Sequence, residues 1–401
     1  MDRRSFLTGA GVLALAQLTS GCRSGNQADL NVQLLKDSIP AQLVGEFHRG
    51  LKRPVTLKFD PEKQLKELFS RLQIWKQQGE KKNPQPSPLP FSLPFMGDKT
   101  PAIADLVTLG DYWLEQAIQQ ELIQPLEIEQ LDGWKQLPQR WQELVRRDRQ
   151  GQLNKSGSVW GAPYRWGTTV IAYNRDKFKE LGWKPPTDWS DLWRPELRGR
   201  ISLLDQPREV IGLTLKKLGS SYNTTNLSQV KNLKEELRAL HQQVKFYSSD
   251  YYLQPLIVED TWLAVGWSTD ILPVMVSDRQ IEAVIPLSGT ALWADLWVKP
   301  ASLAEQSNGG KTVDRQSLMK KWINFCWQTK PASQISRFSH AASPIIITVK
   351  AADLPEDVRE NPLLLPSTSV LDKSEFLKPL PKPALDQYQS LWQEIRKSTE
   401  G

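Results

Sequence analysis

The 401-residue sequence has little sulfur and little imidazole: two cysteines and three histidines. Two cysteines cannot build a disulfide scaffold, and His48, His241 and His340 are too few and too scattered for a histidine-rich metal site. Runs of five or six like charges are also missing, although 51 basic against 45 acidic residues leave a net charge of +6. We therefore expect no metal site and no nucleic-acid partner.

Catalytic motifs are missing as well. The sequence has no serine-hydrolase elbow, no zinc-protease His-Glu-x-x-His, no phosphate-binding loop and no glycine-rich dinucleotide turn. Hydrophobic residues make up 39% and charged residues 24% of the chain, which is typical of a soluble globular protein that needs no cross-links. We expect a protein that is not an enzyme, has no cofactor, and functions through carboxylates, aromatic rings and backbone.

The first 21 residues have the pattern of an export signal. Arg3 and Arg4 precede an apolar stretch at residues 7–18, which is too short to span a bilayer. The arginine pair with the following SFL is similar to a twin-arginine signal. The LTSGC of residues 18–22 resembles a lipobox, in which Cys22 is acylated, although Thr19 stands where an aliphatic residue is usual.

We predict a signal peptide at residues 1–21 and a polar tether at 22–28; an ordinary signal-peptidase site near Cys22 is the alternative. Lipid on Cys22 would leave Cys326 without a partner. Because Cys326 lies in an apolar run, we expect a buried, inert thiol there.

The rest of the chain alternates short β-rich runs with amphipathic helical patterns, which indicates α/β architecture with more than one lobe. Residues 79–94, rich in proline, lysine and glutamine, predict an exposed loop. Strands are predicted at residues 54–59, 103–108, 170–174, 201–204, 244–247, 261–266, 281–285 and 292–298, and helices at residues 64–78, 111–122, 209–218, 227–242, 317–327 and 385–397.

Five groups of segments, in order and spacing, carry a family resemblance. They are DLV, DYW and LIQPL within residues 105–126; WGAPYRWGTTVIAYN at 160–174; WSDLW, GRI and LLDQPREV within 189–210; LAVGWSTD at 263–270; and IP with GTALWAD within 285–295. Together they resemble the spermidine/putrescine-binding proteins of bacterial ABC importers.

The resemblance implies a two-lobed clamshell of the type II periplasmic binding class, with the ligand in a cleft between the lobes. It places lobe 1 at residues 29–172 plus 294–340 and lobe 2 at 173–293 plus 341–401. It also implies a polyamine ligand, permease subunits of an ABC importer as partners, and a monomer. With the signal segment, it implies a periplasmic location, anchored by lipid at Cys22 to the outer face of the cytoplasmic membrane.

The implied site follows from the chemistry of a polyamine, whose ammonium groups need carboxylates and whose methylenes need aromatic faces. Because Asp295 is flanked by Trp293 and Leu296, it requires a cation, either from the ligand or from an arginine or lysine side chain. The resemblance assigns as ligand carboxylates Glu209, Asp270 and Asp295, and as stacking aromatics Trp267, Trp293 and Tyr112.

The chain also departs from the family pattern. Residues 34–40, LLKDSIP, lack the Asn-Trp pair and the tyrosine usual there, Gln206 replaces a second acidic residue, and Ala341 stands where an aromatic is common. Lys36 and Arg165 add positive charge near the cleft.

Three alternatives therefore remain open. The clamshell could hold another solute such as a γ-amino acid, anchored by Arg165; a ferric ion, with Tyr251 and Tyr252 as the one adjacent tyrosine pair; or no solute at all, as a lipoprotein adaptor or sensor.

Overall fold

The computed structural model describes residues 28–81, 102–302 and 315–397. The strands are β1 (Leu30–Leu35), β2 (Leu57–Glu62), β3 (Leu106–Gly110), β4 (Ile123–Gln124), β5 (Arg146–Arg147), β6 (Ser158–Val159), β7 (Ala162–Asn174), β8 (Ile201–Leu203), β9 (Val244–Tyr247), β10 (Leu263–Trp267), β11 (Ile281–Val284), β12 (Ala291–Pro300) and β13 (Glu375–Phe376).

The helices are α1 (Ala41–Gly50), α2 (Leu65–Lys81), α3 (Leu114–Gln119), α4 (Asp132–Gln136), α5 (Gln139–Val145), α6 (Arg175–Glu180), α7 (Pro207–Lys217), α8 (Leu233–Gln243), α9 (Gln254–Ile257), α10 (Ser268–Ser277), α11 (Arg315–Cys326), α12 (Thr329–Phe338), α13 (Glu356–Arg359), α14 (Thr368–Lys373) and α15 (Lys382–Lys397). Within these described ranges, none of the helices has the length and apolarity needed to cross a membrane.

The main sheet has the strand order β2-β1-β3-β12-β7-β10-β8-β9. Strand β1 runs parallel to β2 and β3, and β10 runs parallel to β8, whereas β7 is antiparallel to both β12 and β10. All 13 residues of β7 are buried, as expected for a strand covered on both faces. Its first half pairs with β12 and its second half with β10. The strand therefore runs through both halves of the molecule.

Three buried clusters form the interior. The first combines β1–β3, the first half of β7, much of β12 and α11; the other two combine the second half of β7 with β8, β10 and the helices around them. The chain after residue 340 contributes to both sides, since Ile345 and Ile346 join the first cluster while Tyr388 and Trp392 join the second. The lobe boundaries given above stay a prediction.

The structure confirms the α/β class. Strand β9 has the predicted bounds, and α7 begins two residues before the predicted helix at 209–218. The loop predicted at 79–94 is wrong at its start, because α2 continues to Lys81. The remainder of that loop, the signal peptide and Cys22 lie outside the described residues. Cys326 is buried in the first cluster, as predicted.

Candidate functional site

Strand β7 arranges the centre of the site. Side chains alternate between the two faces of a strand, so Arg165, Gly167 and Thr169 share one face. Residues directly opposite on a neighbouring strand share that face too. Opposite these three positions lie Asp295, Trp293 and Trp267, in that order. Most of the predicted site residues therefore surround one stretch of β7.

Asp295 is already paired. Arg165 Nε donates to Asp295 Oδ2 at 2.5 Å, and the two side chains are 4% and 1% exposed. Arg165 Nη1 also donates to the carbonyl of Ser339 at 3.0 Å, and its Cζ lies 5.9 Å from the centroid of the Trp293 ring. Burial alone would lower the pKa of Arg165, but the acidic groups around it, Asp295 first and then Tyr164 and Asp270, together offset this and raise it. The cation that the sequence requires beside Asp295 is therefore Arg165.

Glu209 lies in the first turn of α7, which begins at Pro207. It is buried and accepts a hydrogen bond from Thr169 Oγ1 at 3.0 Å, and no described lysine or arginine forms an ion pair with it. Burial raises the pKa of Glu209 to about 7, although hydrogen bonds from Thr169 and Trp267 and the charge of Arg208 oppose the shift. A positively charged group in the cleft would neutralise the charge of the Glu209 carboxylate.

Asp270 lies in the first turn of α10 and accepts a hydrogen bond from Tyr252 Oη at 3.0 Å. The same hydroxyl accepts the backbone N–H of Trp267 at 3.0 Å. Although Asp270 is an exposed residue, desolvation of its carboxylate raises its pKa, while the hydrogen bond from Tyr252 and the charge of Arg165 oppose the shift. No described lysine or arginine forms an ion pair with it. Gly266 permits this arrangement, because a Cβ there would lie 1.8 Å from the Tyr252 ring.

The predicted aromatics take different positions. Trp293 lies against Gly167, where an added Cβ would be 2.3 Å from Trp293 Cζ2. Trp267 stands edge-on to Tyr252, with ring centroids 6.2 Å apart. Tyr112 is 66% exposed, and its ring contact is with Trp113. The structure brings the other predicted site residues around β7 and leaves Tyr112 at an exposed position.

The sequence reasoning missed Asp111 near the site, and it considered Tyr252 only as half of a possible ferric-ion pair. Asp111, directly after β3, is buried and accepts the backbone N–H of Ala294 at 2.9 Å; burial raises its pKa to about 7. Its signal was a carboxylate at the carboxyl end of a buried parallel strand, where ligand sites in α/β sheets lie. Tyr252 has no comparable signal, because its role depends on contacts with Trp267 and Asp270.

The positions that departed from the family pattern are not equivalent. Lys36 is exposed, whereas Ala341 is buried. Tyr251 is 66% exposed and Tyr252 2%, so one side chain lies at the surface and the other in the interior.

Residues 102–373 match the family of bacterial extracellular solute-binding proteins. The chain belongs to this family. The family is defined by solute binding rather than by an enzymatic reaction, in agreement with the missing catalytic motifs.

Relatives and solved structures agree with this assignment. The chain is 26% identical over 295 residues to spermidine/putrescine-binding periplasmic protein 1 of Haemophilus influenzae, covering 73% of this chain and 74% of the relative. It is 26% identical over 315 residues to the putrescine-binding periplasmic protein PotF of Escherichia coli, covering 73% and 78%.

The crystal structure of the spermidine/putrescine ABC transporter substrate-binding protein PotD from Streptococcus pneumoniae matches with a TM-score of 0.72 at 20% identity, covering 92% of this chain and 98% of that one. At this identity the match shows the fold, which is the predicted two-lobed clamshell.

Proposed function

We propose that this protein is the solute receptor of an ABC importer and that its cleft binds a polyamine of the putrescine and spermidine class. The names of the relatives support the class of solute. The residues that we propose for contact with the solute are Glu209, Asp270, Trp267, Trp293 and Tyr112; Asp295 lies at the same site as the partner of Arg165.

The observation that carries the proposal is a pair of carboxylates without an ion pair among the described residues: Glu209, which is buried, and Asp270, which is an exposed residue. A buried carboxylate such as Glu209 needs a cation, and an ammonium group supplies one through a charge-assisted hydrogen bond; Asp270 offers a second, more open carboxylate. Trp267 lies beside both carboxylates. Its side chain hydrogen-bonds Glu209, and its backbone N–H donates to the Tyr252 hydroxyl that in turn donates to Asp270. A flexible diamine would place one ammonium at each carboxylate and its methylenes against this tryptophan.

The alternative solutes receive less support from the same geometry. Arg165 is committed to Asp295, so it is a poor anchor for the carboxylate of a γ-amino acid. The different exposure of Tyr251 and Tyr252 argues against a joint ferric site. The third alternative, an adaptor or sensor that binds no solute, is tested by the binding experiment below.

Binding can be tested by thermal unfolding of the chain from Arg23 onward with putrescine, spermidine, γ-aminobutyrate, amino acids and ferric citrate. A ligand at a thousand times its dissociation constant adds about 4 kcal/mol of stability, which raises the melting temperature measurably. We expect a rise with the amines. A rise with γ-aminobutyrate or ferric citrate alone would contradict the polyamine assignment, and no rise with any compound would favour the adaptor.

We also propose that residues 1–21 direct export by the twin-arginine route and that a lipid on Cys22 anchors a monomer at the outer face of the cytoplasmic membrane, beside its permease. The support is the sequence pattern alone. Cys22→Ala should move the protein from the membrane to the soluble fraction of the cell envelope. Lys155→Ala, a change at an exposed position outside residues 1–28, is the control. Unchanged fractionation of the Cys22 variant would contradict the lipid anchor.

A further inference from the structure

Asp295 is the carboxylate that the family resemblance assigns to a ligand ammonium, yet the protein supplies its own cation there. The 2.5 Å contact from Arg165 Nε occupies Asp295 Oδ2, and both side chains are almost completely shielded from water. Removing one partner of a buried ion pair leaves an uncompensated charge. An incoming ammonium would therefore meet a carboxylate whose charge Arg165 already compensates.

The pair is built into the backbone. Arg165 on β7 and Asp295 on β12 are directly opposite in the antiparallel register, so the ladder itself brings the two side chains together. A register shift follows immediately, between Asp295 and Leu296. The carbonyl of Ser339 holds the guanidinium from a third segment of the chain. The position of Arg165 thus depends on the fold and requires no ligand.

The guanidinium makes the kinds of contact that an ammonium end of a polyamine would need. It has a carboxylate at 2.5 Å, a carbonyl at 3.0 Å and the ring of Trp293 at 5.9 Å. A cation over a tryptophan face is attracted by the ring. Once this position is filled, the unpaired carboxylates among the predicted ligand residues are Glu209 and Asp270.

We infer that Arg165 acts as a built-in substitute for one ligand ammonium and thereby sets specificity: the cleft offers two remaining carboxylates and selects diamines such as putrescine over the triamine spermidine. This inference rests on the proposed function, because it names the subclass of polyamine that the same site takes. It assigns Asp295 to the protein's own cation rather than to the solute.

The test compares putrescine and spermidine by titration calorimetry on the wild type, on Arg165→Ala and on Arg165→Ala/Asp295→Ala. We expect the wild type to bind putrescine more tightly. Arg165→Ala frees Asp295 for a third ammonium, so its ratio of spermidine to putrescine affinity should rise at least about tenfold, or about 1.4 kcal/mol. The double variant lacks the freed carboxylate and should keep the wild-type preference.

A second measurement does not depend on polyamine binding. Arg165→Ala should melt at a lower temperature than the wild type, and millimolar methylguanidine should raise its melting temperature while leaving the double variant unaffected. Where the alanine variant does not fold, Arg165→Gln removes the charge but keeps donors for Asp295 and Ser339. Arg165→Lys, which retains a cation, should preserve the preference for putrescine.

The outcomes separate the two proposals. If the wild type binds neither amine but methylguanidine rescues Arg165→Ala, the proposed function fails while the built-in cation stands. If the wild type binds spermidine as tightly as putrescine and the Arg165 variants leave that ratio unchanged, the inference is overturned while polyamine binding stands.

Discussion

The charge of Glu209 depends on its burial in the cleft. Burial raises its pKa to about 7, so that near neutral pH the empty cleft holds a mixture of the carboxylic acid and the carboxylate. An ammonium group binds the carboxylate only, and an alkyl ammonium keeps its own proton below about pH 10. Binding of an amine therefore pulls a proton off Glu209.

We predict that putrescine binding at pH 7 releases a fraction of one proton and that its affinity rises between about pH 6 and pH 8, as Glu209 ionises. Titration calorimetry in buffers of different ionisation enthalpy measures the proton directly. Glu209→Gln should bind weakly and release none. Proton uptake, or affinity that falls over this range, would contradict the assignment of Glu209.

The pairing of Asp295 with Arg165 changes the expected effect of replacing Asp295. The sequence alone suggests that Asp295→Asn removes amine binding and spares the fold. With Arg165 buried beside it, we predict instead a loss of about 3–5 kcal/mol in the free energy of unfolding, because the guanidinium loses its counter-charge in the interior.

Urea unfolding checks this, with Asp386→Asn as the matched control. Asp386 pairs with Lys382 on the surface, at 85% and 59% side-chain exposure for lysine and aspartate, so its replacement should cost under about 1 kcal/mol. Equal losses in the two variants would argue against a tightly coupled pair in the interior.

At the scale of the element, Gly167 on β7 has no side chain and therefore leaves room for the ring of Trp293. An alanine Cβ at position 167 would come within 2.3 Å of Trp293 and 2.5 Å of Ser268 Oγ. Overpacking of this kind costs about 1–3 kcal/mol. We predict that Gly167→Ala lowers stability by that amount and weakens putrescine binding at least tenfold, since Trp293 must move.

Unfolding and calorimetry on the same samples measure both effects. Gly50→Ala is the control, because nothing lies within 4 Å of a Cβ added there. If Gly167→Ala binds putrescine normally, the ring of Trp293 does not contribute to the site.

Elements with one clear pattern were predictable, such as β9 and α7. The first half of β7 was not, because its run of arginine, glycine and threonines shows neither alternation nor a continuous apolar stretch. The pairing of Arg165 with Asp295 was out of reach for another reason: it joins positions 130 residues apart and depends on ladder register. Sequence resemblance could name the site residues, but their partners required the sheet.

For the whole molecule, the path of β7 through both halves of the sheet places a connection between the two halves beside the cleft. A solute bound in the cleft between the lobes should favour their closed arrangement. We predict that saturating putrescine reduces the radius of gyration measured by small-angle X-ray scattering. Glu209→Gln should not respond at the same concentration, and an unchanged radius in the wild type would contradict hinge closure.

The burial of Cys326 makes the protein a convenient fluorescent reporter. In a chain that starts at residue 23 it is the sole cysteine, and burial raises the pKa of its thiol far above the ordinary value, so maleimide dyes will leave it unlabelled. Cysteines introduced at the exposed positions Lys155 and Lys231, one beside each half of the fold, would take a donor and an acceptor dye with the native thiol left in place. Energy transfer between them would then follow the concentration of free solute in real time.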